Sequence, residues 1–109
     1  MIYYTQIYNE KVGLNTFLQR CLVNVYGAKI GIDGDFGPET KAACRAVAKG
    51  DKGLLVSILQ AGLMVNGITC TKIDASFGDQ TEKGVTEFQT SAGIVVDGSA
   101  GLETFERLF

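Results

Sequence analysis

An internal repeat restricts this chain more than any other feature of its sequence. Sliding the sequence over itself by 41 positions, the distance from Leu18 to Leu59, brings a long segment into register without gaps. Leu18-Gln19 then falls on Leu59-Gln60, Leu22 on Leu63, Ile32-Asp33 on Ile73-Asp74, Phe36-Gly37 on Phe77-Gly78 and Thr40 on Thr81. Apolar character goes on agreeing beyond it, Cys44 with Val85 and Val47 with Phe88. A further shift of 23 positions, from Asp74 to Asp97, sets Val96-Asp97 on Ile73-Asp74, Gly101 on Gly78, Thr104 on Thr81 and Leu108 on Val85. One turn-to-helix element therefore occurs three times.

The chemistry of that element is a turn feeding a helix. Asp33, Asp74 and Asp97 are placed to accept hydrogen bonds from backbone amides ahead of them, and Gly34 and Gly98 can take the positive φ that such a turn favours. Gly37 reads as an N-cap, with Pro38 at the first helical position and Glu39 near the positive end of the helix. In the second copy Ala75 stands where the others have glycine, so that turn is either strained by about 1 kcal/mol or of a different type.

Apolar spacing supplies the helices. Leu14, Phe17, Leu18, Cys21, Leu22 and Val25 form one helical stripe, and Leu54, Leu55, Ile58, Leu59 and Leu63 form another, with Gly62 allowing close approach of a neighbour. Shorter helices are predicted from about Pro38 to Lys49, from about Asp79 to Thr90, and from about Leu102 to the C-terminus, with Leu102, Phe105, Leu108 and Phe109 on the buried side. Short extended pieces are expected at Tyr3 to Tyr8, Ile30 to Ile32 and Ile94 to Val96. Tyr3, Tyr4 and Tyr8 would belong to an arm that packs on the domain or on a second copy. The fold class is mainly α.

Composition narrows the function. With 46% hydrophobic and 20% charged residues the chain should fold, and its ten basic and twelve acidic residues are scattered without the basic stripe that nucleic-acid binding needs. Three widely spaced cysteines and no histidine exclude the familiar zinc constellations, and Cys21 and Cys44 fall at apolar helix positions where a thiol packs as a small hydrophobe. No metal or cofactor is expected. Without histidine, a nucleophilic cysteine context or a phosphate cradle, no catalytic site is expected either. Asp33-Gly34-Asp35 suggests a calcium loop, but Pro38 sits where the glycine belongs and Cys44 where the terminal glutamate belongs. Asp33 and Asp35 as a glycosidase pair lack any source of a raised pKa on a solvated turn. Met1 to Tyr8 has no charged start followed by an apolar run, and no apolar stretch reaches membrane-spanning length, so a soluble chain without its own export signal is expected.

The order of motifs resembles that of the peptidoglycan-binding domain family: Leu-Gln, Asp-Gly-x-Phe-Gly-x-x-Thr, Phe-Gln, then Gly-Ile-x-x-Asp-Gly. The second half carries nearly all of it in Leu59-Gln60, Asp74 to Thr81, Phe88-Gln89, Gly93-Ile94 and Asp97 to Thr104. The first half keeps Leu18 to Thr40 but has Val47-Ala48 in place of Phe-Gln and lacks a third turn. The resemblance implies two tandem helical units of a three-helix type, a shortened one at 14–51 and a full one at 52–109, after an N-terminal arm at 1–13. The segment from about Leu54 would replace the third helix missing from the first unit. It also implies non-catalytic binding of bacterial cell-wall peptidoglycan, acting at the wall beside a linked hydrolase such as a Gram-positive phage endolysin, autolysin or spore-cortex enzyme. The alternative is a structural or protein-interaction module of a phage or spore protein that keeps the fold without wall binding.

Folding alone accounts for much of the repeated motif. Phe36 and Phe77 read as core anchors, Asp33 and Thr40 as turn residues, and Gln19, Gln60 and Gln89 as partners of loop backbone at least as readily as of ligand. Ligand contacts are instead expected from polar and aromatic residues left outside the stripes near the turns: Tyr26, Asp35, Asn66, Lys72, Asp74 and Gln89. Amide and carboxylate groups suit sugar hydroxyls and acetamido groups, and Lys or Asp suits the charged groups of stem peptides.

Overall fold

A computed structural model of the chain describes residues 2–109, with side chains from Glu10 onward. Five helices follow one another: α1 (Ile2–Tyr26), α2 (Pro38–Ala43), α3 (Leu54–Val65), α4 (Asp79–Ala92) and α5 (Leu102–Leu108), with no strand among the described residues. α3 is the central element, packing against α1, α4 and α5. Its sequence explains that place, since Leu55, Val56, Ile58, Leu59 and Leu63 are all buried and leave little polar face. Leu18 and Leu22 of α1, Val85 and Phe88 of α4, and Phe105 and Leu108 of α5 complete one core with Phe77. At Gly62 a β-carbon would stand 2.8 Å from the Phe109 ring, so the absent side chain is what lets that ring lie against α3.

Helix entries follow the predicted pattern. Gly37, Gly78 and Gly101 are the N-caps of α2, α4 and α5, all in extended backbone, and Pro38 opens α2. α4 ends on Gly93 in the left-handed region, which frees its last carbonyls to be capped from beyond the helix.

Several expectations are corrected. Tyr3 to Tyr8, expected extended, belongs to α1, whose backbone runs unbroken through residue 13. The packing expected of Tyr3, Tyr4 and Tyr8 concerns side chains outside the described residues. α2 stops at Ala43 rather than Lys49, because the chain from Cys44 onward is taken by pairing elsewhere. Val47 exchanges both backbone hydrogen bonds with Ala100, at 3.0 and 2.8 Å, and Gly50 and Phe77 donate in turn to Phe77 and Asp51 carbonyls at 2.9 Å. A tertiary ladder thus outcompetes helix propensity over 44–52. Phe17 (60% exposed), Val25 (59%), Leu54 (54%) and Leu102 (41%) stand outside the core despite their stripe positions. Phe77 is the core anchor expected of it, whereas Phe36 is only half-buried. Cys21 and Cys44 are buried free thiols, and burial pushes Cys44 up to about 11.

Candidate functional site

The three repeated turns share one hydrogen-bond arrangement built around a buried glutamine. Gln19 Oε1 accepts the amides of Asp33 and Gly34 at 3.0 and 2.9 Å, while its Nε2 faces Asp33 Oδ1, the Asp35 carbonyl and Thr40 Oγ1 at 2.8–3.0 Å. Gln60 does the same with Asp74, Ala75, Ser76 and Thr81, and Gln89 with Asp97, Gly98, Ser99 and Thr104. An amide group has two hydrogens, so three acceptors around Nε2 mean that one bond is shared. Each aspartate also accepts the amide two residues on, closing the turn from the other side.

This network fixes both geometry and charge. Gly34, Ala75 and Gly98 all have positive φ, 79°, 63° and 76°, so the second turn is of the same type as the others and Ala75 bears the strain. The backbone amide of Asp35 and the Gln19 side chain hold the Asp33 carboxyl below its ordinary range. Ser76 and Gln60 do so for Asp74, and Gln89 and Ser99 for Asp97. The carboxylates nevertheless face water, and the apolar residue before each one is exposed as well: Ile32 45%, Ile73 54% and Val96 50%. Burial in a core does not account for an exposed aliphatic side chain that recurs beside a carboxylate at all three turns.

Two shallow clefts lie at equivalent places between turn and helix. One, about 270 Å³, is edged by Gly31, Asp33, Asp35, Gly37 and Glu39; the other, about 200 Å³, by Lys72, Asp74, Ser76, Gly78 and Gln80. A wider one, about 570 Å³, lies between the end of α1 and the end of α2, where Tyr26, Lys29, Ile30, Glu39, Cys44 and Arg45 meet. The Arg45 guanidinium carbon sits 4.5 Å from the Tyr26 ring centroid, a cation–π contact.

The six residues expected to touch ligand divide into surface and interior. Lys72 and Asp74 share one cleft, Asp35 borders the equivalent cleft, and Tyr26 borders the wide one. Gln89 is 1% exposed and wholly engaged with the third turn. Asn66 caps α3, where its Nδ2 donates to the carbonyls of Gly62 and Leu108 at 2.7 and 3.0 Å and so ties α3 to α5. Lys29 and Arg45 were not singled out in the sequence. Arg45 falls in a segment whose spacing reads as helix, so nothing local brings it to Tyr26. Among the described residues no group of three or more histidine, cysteine or acidic side chains could hold a metal ion, and no helix is long and apolar enough to cross a membrane.

Residues 52–108 match the family model of a peptidoglycan binding domain. The crystal structure of the SleB N-terminal domain is similar to this chain, with 36% sequence identity and a TM-score of 0.56 over 59% of this chain and 88% of that one. No curated protein matches.

Proposed function

Because the chain belongs to the peptidoglycan binding domain family, we propose that it binds bacterial cell-wall peptidoglycan without cleaving it, as the targeting module of a wall hydrolase such as a phage endolysin. The match over 52–108 carries this reading. Residues 52–109 act as a full unit and residues 14–51 as a shortened one, preceded by 1–13; the common glutamine-centred turn supports that division. Tyr26, Asp35, Lys72 and Asp74, all at cleft edges, are the proposed ligand contacts, while Asn66 and Gln89 act through the scaffold. A carboxylate beside an exposed aliphatic side chain suits a sugar, whose hydroxyls donate and whose ring face is apolar.

The test is sedimentation with purified walls of several bacterial species. The chain is expected to pellet with at least one wall type and to release no labelled fragments from it; retention in the supernatant across all of them overturns the proposal. The exposed Phe17 and Val25 on α1 favour a second reading, a protein-interaction module, which predicts self-association in light scattering together with no wall binding.

A further inference from the structure

The wide cleft between the ends of α1 and α2 has a chemistry of its own. Its floor is apolar, from Ala28, Ile30 and Cys44, and its rim carries Tyr26, Lys29 and Arg45 together with a single acid, Glu39. Glu39 is already committed: one of its carboxylate oxygens accepts the Gly31 amide at 2.8 Å. Among the described residues neither Lys29 nor Arg45 has a carboxylate partner, in contrast to Lys41 with Glu106 and Lys49 with Asp79. The Arg45 guanidinium lies over the Tyr26 ring, 4.5 Å from its centroid, and its N–H groups have no hydrogen-bond partner among the described residues. A guanidinium with its N–H groups unengaged is a receptor for a planar anion, which it can grip through two parallel hydrogen bonds.

We infer that this cleft binds a free peptide carboxylate, with Arg45 as the bidentate donor, Lys29 as the second cation and the apolar floor holding the short aliphatic residue that carries the carboxylate. Glu39 on the rim disfavours a doubly charged phosphate and tolerates a singly charged carboxylate. The cleft's volume of about 570 Å³ accommodates a terminal residue and the peptide bond before it. The inference rests on the wall-binding reading for the source of the ligand, since peptidoglycan stems end in alanine carboxylates. It does not rest on the turn clefts.

The test titrates the full chain with a short peptide ending in D-alanyl-D-alanine, with the C-terminal amide of the same peptide, and with inorganic phosphate, following backbone amide and arginine Nε–H signals by NMR. The free acid should shift Gly31 and Arg45 and bind about tenfold more tightly than the amide. Arg45→Met should abolish that preference and Arg45→Lys restore part of it, both with an unchanged melting temperature. Equal binding of acid and amide, no binding of either, or an unaltered preference in Arg45→Met overturns the inference, and phosphate binding tighter than the acid overturns the assignment to a peptide. Wall sedimentation is measured on the same samples. Acid-selective binding without sedimentation sinks the wall reading and leaves the cleft, whereas sedimentation without acid preference does the reverse.

Discussion

Gln60 grips Asp74 at both ends of its amide group: Nε2 donates to the carboxylate at 3.0 Å while Oε1 accepts the Asp74 amide at 3.1 Å. Gln60 is fully buried, so the backbone amides it holds lose their partner inside the protein when the side chain is removed, while the Asp74 carboxylate still faces water. Gln60→Leu should therefore cost about 3 kcal/mol, because it strands the amides of Asp74 and Ala75, whereas the Thr81 hydroxyl keeps Thr71 and the Ser76 carbonyl as partners. Urea unfolding measures this, and a loss below a few tenths of that size would mean that water enters the turn freely.

The strain at Ala75 is open to relief. Its φ of 63° is one that glycine adopts without penalty, as Gly34 and Gly98 do in the equivalent turns. Ala75→Gly should stabilise the chain by about 0.5–1 kcal/mol, the left-handed penalty removed less the greater freedom of glycine in the unfolded chain. Gly34→Ala should do the opposite with a larger magnitude, since its β-carbon would come within 2.8 Å of Val12.

Acid should weaken the fold through the three turns. Asp33, Asp74 and Asp97 all have folded-state pKa values below the 3.8 of the unfolded chain, so above that value their full contribution is present. As pH falls below 3.8 and through the lowered folded values, the unfolded state binds more protons and the contribution is lost. Melting temperature should thus drop steeply below about pH 4, and the drop should be shallower in Asp74→Asn.

Gly62→Ala should destabilise the packing of α5 on α3 by about 1–3 kcal/mol, because the added methyl meets the Phe109 ring. Combining it with Phe109→Leu should recover part of the loss. A double-mutant cycle in chemical denaturation reads the coupling directly.

Ligand contacts and scaffold residues should separate by two readouts. Lys72→Ala and Tyr26→Ala should lower the fraction of protein that pellets with walls while leaving the melting temperature within a degree or two, as expected of exposed side chains. Gln89→Ala should lower the melting temperature first. Wall binding of folded Gln89→Ala equal to that of the parent chain would confirm its scaffold role.

How much of this could be read from the sequence depended on how local the cause was. The turns were legible because Gln19, Asp33, Gly34 and Thr40 recur at fixed spacing, and the aspartate and glycine meet the turn's demands locally while the glutamine comes from the helix before it. The burial of Phe77 and the small-residue requirement at Gly62 were legible for a similar reason. The end of α2 was not, since Ala100 sets it from far along the chain. Helical spacing placed Phe17 and Leu54 on apolar stripes, but a stripe records only a face, and at those two positions no neighbouring helix arrives. Asn66 and Gln89 looked available to ligand because residue type does not reveal whether another part of the chain already occupies the side chain, as the Leu108 carbonyl of α5 does for Asn66 and the third turn does for Gln89.

The short ladder joining Val47 to Ala100 and Asp51 to Phe77 has a bearing on how the chain comes apart. It fastens the stretch after α2 to the second and third turns, so a protease cut there would strip backbone partners from segments dozens of residues downstream. Unfolding should accordingly be all-or-none, with a single calorimetric transition in place of two. A fragment trimmed to the family match alone would begin life with its Ala100 and Phe77 amides bare.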